Sequence, residues 1–214
     1  MPRTRKVPER VDIEPLVENA MKDDAVLAGY VEQIVDSSRH KRQVASTVVY
    51  EVACLDLDKV ECHAKEILDG LNRPEGQTRC EVLKTLTLFV DKHAKEAMKS
   101  IEAAETALFD ENSGPLRLSA YEYLCKLGAT SEARSREIWP LIDEATQCFH
   151  GDVEFNDMLI ALLAFSDGKI DPEVAKELAE LMKFDSENAT GNLKAKSTEI
   201  IANCKKKTKK KSEK

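Results

Sequence analysis

Apolar side chains recur at a fixed spacing along the chain and predict a series of similar helices. Five segments carry apolar residues three, seven and ten positions after a shared starting residue, which places them on one face of a helix. Including Cys, thirteen of these fifteen positions are apolar, whereas 42% of the whole chain is. The pattern therefore predicts repeated helical units. The segments start at Arg42, Arg79, Arg117, Asn156 and Lys194, at spacings of 37, 38, 39 and 38 residues.

A second set of helices is predicted between these segments, so each unit is a pair. Turn-forming residues separate the two helices of a unit, and Asp171 followed by Pro172 is a typical helix start. An initial helix over 13–22 is expected to cap the stack, because a terminal repeat otherwise exposes its apolar face. The predicted second set covers 25–36, 58–71, 94–109, 134–149 and 172–184, and the turns lie at 72–77, 110–115, 150–152 and 185–192.

These units resemble the HEAT-repeat family, whose helical pairs carry an Asp in the turn and an Arg at the start of the second helix. Arg42, Arg79 and Arg117 match the Arg, and Asp36 and Glu111 stand at the acidic position. The resemblance implies an all-α, right-handed α-solenoid of about five HEAT-like pairs with an N-terminal capping helix, over residues 12–204. Armadillo-like or other helical-pair arrays also fit.

The last two units depart from this motif. Asn156 and Lys194 replace the Arg, while Arg73, His150 and Asn188 stand at the acidic position in units two, four and five. The Arg row is expected to pair between units, and the alternative is an edge that binds phosphate. The candidate inter-repeat or groove residues are Arg42, Arg79, Arg117, Asp36, Glu111 and Tyr50.

Charge is distributed unevenly along the chain. The net charge is −7, yet residues 205–214 hold seven Lys and one Glu, and residues 1–10 are also basic. The body between them is therefore strongly acidic, which favours a basic partner. Residues 1–11 are predicted to be a flexible basic segment and residues 205–214 a disordered tail, because neither holds enough apolar side chains to fold alone.

The chain shows no membrane, metal or cofactor signature. The longest apolar run, 158–165, is much shorter than the roughly 20 residues that span a bilayer. The six cysteines are dispersed without a C-x-x-C pair, as expected for reduced thiols of a cytoplasmic protein. The segment around Gly168 does not fit a calcium loop, because Leu163, Phe165 and Val174 stand where oxygen ligands are required. Cys62 and His63 diverge on a helix, and no second ligand pair lies nearby for zinc.

We therefore predict a non-enzymatic scaffold that binds a protein or peptide partner on its concave surface. The alternative is a nucleic-acid- or ribosome-associated protein that uses its tail, and a negative groove would favour the first. A second alternative is an enzyme similar to the HEAT-like alkylpurine DNA glycosylases, with Tyr50 and either Tyr121 or Tyr123 lining the groove, whereas Trp139 is expected to pack between units. The candidate nucleic-acid-binding residues are Lys205, Lys206, Lys207, Lys209, Lys210 and Lys211.

Overall fold

The computed structural model describes residues 11–212, with side chains as far as residue 208, and this part of the chain is helical without strands. Residues 1–10 and 213–214, including most of the predicted N-terminal segment, lie outside the described residues. The capping helix is α1 (Glu14–Lys22). The second helices of the five units are α3 (Arg39–Leu55), α6 (Gly76–Ala97), α8 (Gly114–Gly128), α10 (Phe155–Asp167) and α13 (Gly191–Ser212). None of the described helices is both long and apolar enough to span a membrane.

In four of the five units the first helix is shorter than the second, and in two of these four it is interrupted. The first helices are α2 (Asp24–Gln33), α4 (Leu57–Glu61) with α5 (Ala64–Leu68), α7 (Ile101–Leu108), α9 (Glu132–Cys148), and α11 (Pro172–Leu181) with α12 (Lys183–Asn188). The helix start predicted at Asp171 is present, since its carboxylate accepts from the Glu173 backbone N–H at 2.8 Å. The prediction of five helical pairs behind a cap is confirmed.

The two sets of helices form two layers. Neighbouring second helices pack against each other along the whole stack, whereas neighbouring first helices touch much less. A stack that is tighter in one layer than in the other curves toward the tighter layer. The second helices therefore line the concave side.

The buried face of each second helix follows the predicted period. In the central unit Ala120, Leu124 and Leu127 are fully buried, and the same positions in the two preceding units are buried as well. Each second helix packs on its neighbouring second helices, and α3, α6, α8 and α13 also pack on the first helices of their own units. Burial of this continuous apolar layer holds the units together.

The predicted buried face is only partly correct in the last two units: Leu159, Ser166, Ser197 and Cys204 are buried as predicted, but Leu163 and Ile201 are half-buried. Met158, Leu162 and Phe165 are also buried in α10. Every residue from 158 to 165 is apolar, so periodicity alone did not determine which face of this helix is buried.

Helix α13 continues through Ser212, although residues 205–214 were predicted to be disordered. Residues 205–212 contain no Gly or Pro, and Lys is a good helix former. Lys206 Nζ donates to Asn203 Oδ1 at 3.1 Å, and Lys207 Nζ donates to the Asp167 carbonyl at 2.8 Å. The existing helix thus carries the basic segment beyond the last unit.

Candidate functional site

The Arg row runs along the edge of the stack where the second helices begin. Arg42 forms a buried ion pair with Glu75 of the next unit, and its Nε donates to Glu75 Oε2 at 3.0 Å. The same guanidinium donates to the carbonyls of Asp36 at 2.6 Å and Ser37 at 3.0 Å. Arg42 therefore joins its own turn to the following unit.

Arg79 and Arg117 make the same kind of contact more loosely. Arg79 Nη1 lies 3.7 Å from Asp110 Oδ2, and Arg117 Nη2 lies 3.6 Å from Glu154 Oε1. Arg117 also donates to the Asp110 carbonyl at 3.0 Å and stands 5.0 Å from the ring centroid of Phe149. All three arginines are mostly buried between units, so this row does not present a free cationic edge for phosphate.

The acidic position predicted from the family motif needs one correction. The Asp36 carboxylate accepts from the Ser38 backbone N–H at 2.7 Å and shapes the turn below Arg42. In the third unit Asp110 makes the equivalent contact with the Asn112 backbone N–H at 2.9 Å. Glu111 is exposed and makes no side-chain contact with Arg117 among the described residues. This turn is one residue longer than the first, which moves its acidic residue from six to seven places before the Arg.

A second charged row follows the opposite edge of the stack, and sequence analysis did not predict it. Lys59 Nζ lies 2.6 Å from Asp24, and Lys126 Nζ lies 2.7 Å from Asp91. Between them, Lys92 Nζ contacts Asp58 at 2.8 Å and Glu61 at 2.7 Å. These acids and lysines recur about one unit apart in the sequence, and this spacing could have predicted the row. The Lys59 and Lys126 pairs join successive units, whereas the Lys92 contacts lie within the second unit.

The concave side carries four positions from each of α3, α6, α8 and α10, which we call the concave stripe. These positions point away from the first helices, and most of their side chains are half-buried or exposed. The stripe holds six carboxylates against two lysines, so it is acidic. It comprises Val44, Thr47, Glu51 and Cys54; Glu81, Lys84, Leu88 and Asp91; Ser119, Glu122, Lys126 and Ala129; and Asp157, Ile160, Ala164 and Asp167.

Two carboxylates at the centre of the stripe lie in a destabilising environment. Partial burial raises the pKa of Glu122, the nearby Asp157 charge raises it further, and Lys84 opposes the shift. Burial also raises the pKa of Glu81, although Lys84 Nζ lies 3.4 Å away. The Glu122 side chain has no hydrogen-bond or ion-pair partner among the described residues. These groups keep an unbalanced negative potential on the concave side.

Lys84 is already positioned as a cation within this acidic surface. Its Nζ lies 5.3 Å from the ring centroid of Tyr50, which is within the range of a cation–π contact. A hydrogen bond with Cys54, together with burial, raises the pKa of Tyr50 to about 12, so the phenol stays neutral. Tyr50 and the flanking Glu51 and Glu81 thus form an environment that accommodates an amino group.

The other aromatic residues considered for the groove lie inside the protein. Tyr121 and Tyr123 are both fully buried. Their hydroxyls find internal partners, Thr146 Oγ1 at 2.7 Å and the Ala97 carbonyl at 2.9 Å. Trp139 packs between units, with its Nε1–H donating to Glu177 Oε2 at 2.6 Å. The aromatic lining that a glycosylase-like pocket requires is therefore not provided by these three residues.

Comparisons with known proteins support the fold. No family model matches the chain, and no curated protein matches it. Among solved structures, a designed armadillo repeat protein has a TM-score of 0.66 at 11% identity, covering 93% of this chain and 96% of its own. A second designed armadillo repeat protein, in complex with the peptide (KR)4, has a TM-score of 0.68 at 11% identity, covering 90% and 91%.

A natural protein is also similar. The archaeal HEAT-like repeats protein from Thermococcus onnurineus NA1 has a TM-score of 0.55 at 12% identity, covering 92% of this chain and 93% of that one. At such low identity these matches show the fold alone. The paired helices, the ion pairs between units and the structural similarity together show that this chain has the HEAT/armadillo-like repeat fold.

Proposed function

We propose that the protein is a non-enzymatic scaffold that binds a basic, extended peptide segment of a protein partner on its concave stripe. One observation carries the proposal: the concave stripe holds six carboxylates against two lysines, with the partly buried Glu81 and Glu122 at its centre. A cationic side chain bound there would offset both the loss of hydration that burial causes and the repulsion from neighbouring acids.

The two lysines of the stripe support a basic partner rather than an acidic one. Lys84 lies beside Glu81, and Lys126 is paired with Asp91 at 2.7 Å, so both positive charges are balanced within the protein. One of the similar solved structures, the designed armadillo repeat protein, is in complex with the basic peptide (KR)4. That peptide is therefore the first probe to use on this chain.

The test is fluorescence anisotropy with labelled (KR)4 on the full chain. We expect the Glu81→Gln/Glu122→Gln double variant to bind about tenfold more weakly, because two carboxylates that face the ligand become neutral. The matched control is Glu105→Gln/Glu137→Gln, which changes the net charge equally at exposed positions of α7 and α9. An equal loss in the control, or no binding by the wild type, would contradict the proposal.

The same assay includes a labelled single-stranded RNA, because Lys205 and Lys206 are exposed on a helix that extends past the last unit. Removing residues 205–214 should leave (KR)4 binding intact if the ligand occupies the stripe. RNA binding that falls steeply with salt and disappears on truncation would instead support the nucleic-acid function. The two outcomes separate the stripe from the basic segment.

A further inference from the structure

An open groove of about 670 Å³ lies at the C-terminal part of the concave stripe, between α8 and α10. Ile160 projects into this region with 52% of its surface exposed, although it is a large aliphatic residue. The same position of the other three stripe helices holds polar Thr47, Lys84 or Glu122. Among these four equivalent positions, only the one in α10 presents a large apolar side chain.

The groove has a shaped and well-supported lining. Ala129, Ala161 and Ala164 line it and leave space because their side chains are small. Phe165, which also lines it, is fully buried and stacks on Trp139 with ring centroids 6.2 Å apart and planes 7° from parallel. This aromatic pair links α10 to α9, the first helix of the same unit, and supports the floor of the groove.

Charges of both signs surround this apolar surface. Asp91, Glu122 and Asp167 line the groove, and so do Lys126, Lys169 and Lys207, of which Lys126 is paired with Asp91 and Lys207 donates to the Asp167 carbonyl. Because these charges balance, the groove itself favours an uncharged aliphatic side chain, while the rest of the stripe favours basic ones. A segment with basic side chains and one aliphatic side chain satisfies both surfaces.

The helix spacing sets the distance between the two kinds of side chain. Adjacent packed helices lie about 8–10 Å apart, so two steps from α6 to α10 span roughly 16–20 Å. An extended peptide advances about 3.3 Å per residue, which corresponds to roughly five or six residues. Because side chains of an extended chain alternate, a separation of about six places both on the same side.

We propose that this groove is an apolar subsite for one aliphatic side chain, about six residues away from the basic side chain that contacts Glu81. The subsite rests on the proposed function, since the same extended peptide must lie along the concave stripe. It adds a specificity that charge alone does not give, because basic peptides without the aliphatic residue would bind more weakly.

The test compares labelled peptides with a Lys-Arg pair and either Leu or Ser six residues from the Lys. Both chain directions are synthesised, and binding to the full-length protein is measured by anisotropy. We expect Leu to bind roughly fivefold more tightly than Ser in one direction, as partial burial of an aliphatic side chain provides. Ile160→Ser should abolish this preference, while Val153→Ser, at a loop residue that is 96% exposed, should retain it.

The outcomes distinguish the subsite from the proposed function. Suppose that Leu and Ser peptides bind equally in both directions, yet the Glu81→Gln/Glu122→Gln variant binds both more weakly. The subsite proposal is then wrong, whereas the proposed binding of basic peptides to the concave stripe is supported. A preference that survives Ile160→Ser also overturns the subsite. If no peptide binds, both proposals fail. Circular dichroism and thermal melting of Ile160→Ser show whether the variant folds, and its half-exposed position favours this.

Discussion

The acidic residues at the edges of the stack differ from those on its concave side. At the edges, carboxylates are paired across units: Arg42 holds the pKa of Glu75 below its ordinary value, and Lys59 does the same for Asp24. On the concave side, burial raises the pKa values of Glu81 and Glu122. The same residue types thus stabilise the fold in one place and oppose it in the other.

This difference separates structural from functional charge. The paired edge carboxylates join each unit to the next, which a stack of otherwise independent pairs requires. The central concave carboxylates, Glu81 and Glu122, form no ion pair between units, and burial makes their negative charge unfavourable. Proteins commonly retain such unfavourable groups where a ligand balances them. The comparison therefore locates the candidate binding surface without reference to any similar protein.

The largest expected effect follows from removing the buried ion pair at the first edge. Arg42→Ala leaves Glu75 buried without its partner, and we expect the melting temperature at pH 7 to fall on the order of 10 °C. In the wild type the pKa of Glu75 is lowered, so its contribution to stability exists above the ordinary pKa and is lost as the pH falls. The deficit of the variant should therefore be largest near pH 7 and shrink as the pH falls below the ordinary value of 4.5 toward the lowered pKa.

Arg117→Ala is the matched comparison for this prediction. Its guanidinium lies 3.8 Å from Asp152 and 3.6 Å from Glu154, and the Asp152 side chain is 48% exposed, so water can replace the lost partner. A smaller loss with little pH dependence is expected. Thermal melts of both variants at several pH values check the order, and equal losses would mean that the edge pairs do not differ as described.

The sequence predicted the fold better than it predicted the contacts between units. The repeat period, the capping helix and the start at Asp171 could be derived because each depends on local spacing or capping chemistry. The register of α10 could not, because its apolar run offers more than one possible buried face. Asp110 was missed in favour of Glu111 because one extra turn residue shifts the partner.

For the concave surface, only the sign of its net charge was predicted. The acidic character of the chain between its basic ends is a property of composition, and it carried over to the stripe. The individual sites depend on three-dimensional placement: Lys84 lies over Tyr50 from another helix, and Ile160 faces a groove formed by α8 and α10. Such pairs are distant in sequence and follow from packing, which a single-sequence pattern does not specify.

A smaller effect is expected from removing the cation that the acidic surface already contains. Lys84→Met takes away the amino group beside Glu81 and Tyr50 and leaves a side chain of similar length. The stripe becomes more negative, so (KR)4 should bind roughly three- to tenfold more tightly. Lys176→Met, at an exposed position of α11, is the control for net charge. Weaker binding by Lys84→Met would show that Lys84 helps the ligand rather than competes with it.

The smallest effect has the opposite sign from the edge variants and concerns Glu122. Its folded-state pKa is raised, so the folded protein binds a proton more tightly than the unfolded chain does. Protonation therefore stabilises the fold as the pH falls from above the raised pKa toward the ordinary value near 4.3. Glu122→Gln imitates the protonated form and should raise the melting temperature at pH 7 by about 1–3 °C.

This gain should disappear under acidic conditions. At pH values below the ordinary pKa the wild-type carboxyl is itself neutral, so Glu122→Gln and the wild type should melt at nearly the same temperature. Glu105→Gln, at an exposed position, should change the melting temperature little at any pH. A destabilised Glu122→Gln at pH 7 would mean that the charge supports the fold, and the contrast between edge and concave carboxylates would then no longer identify a binding surface.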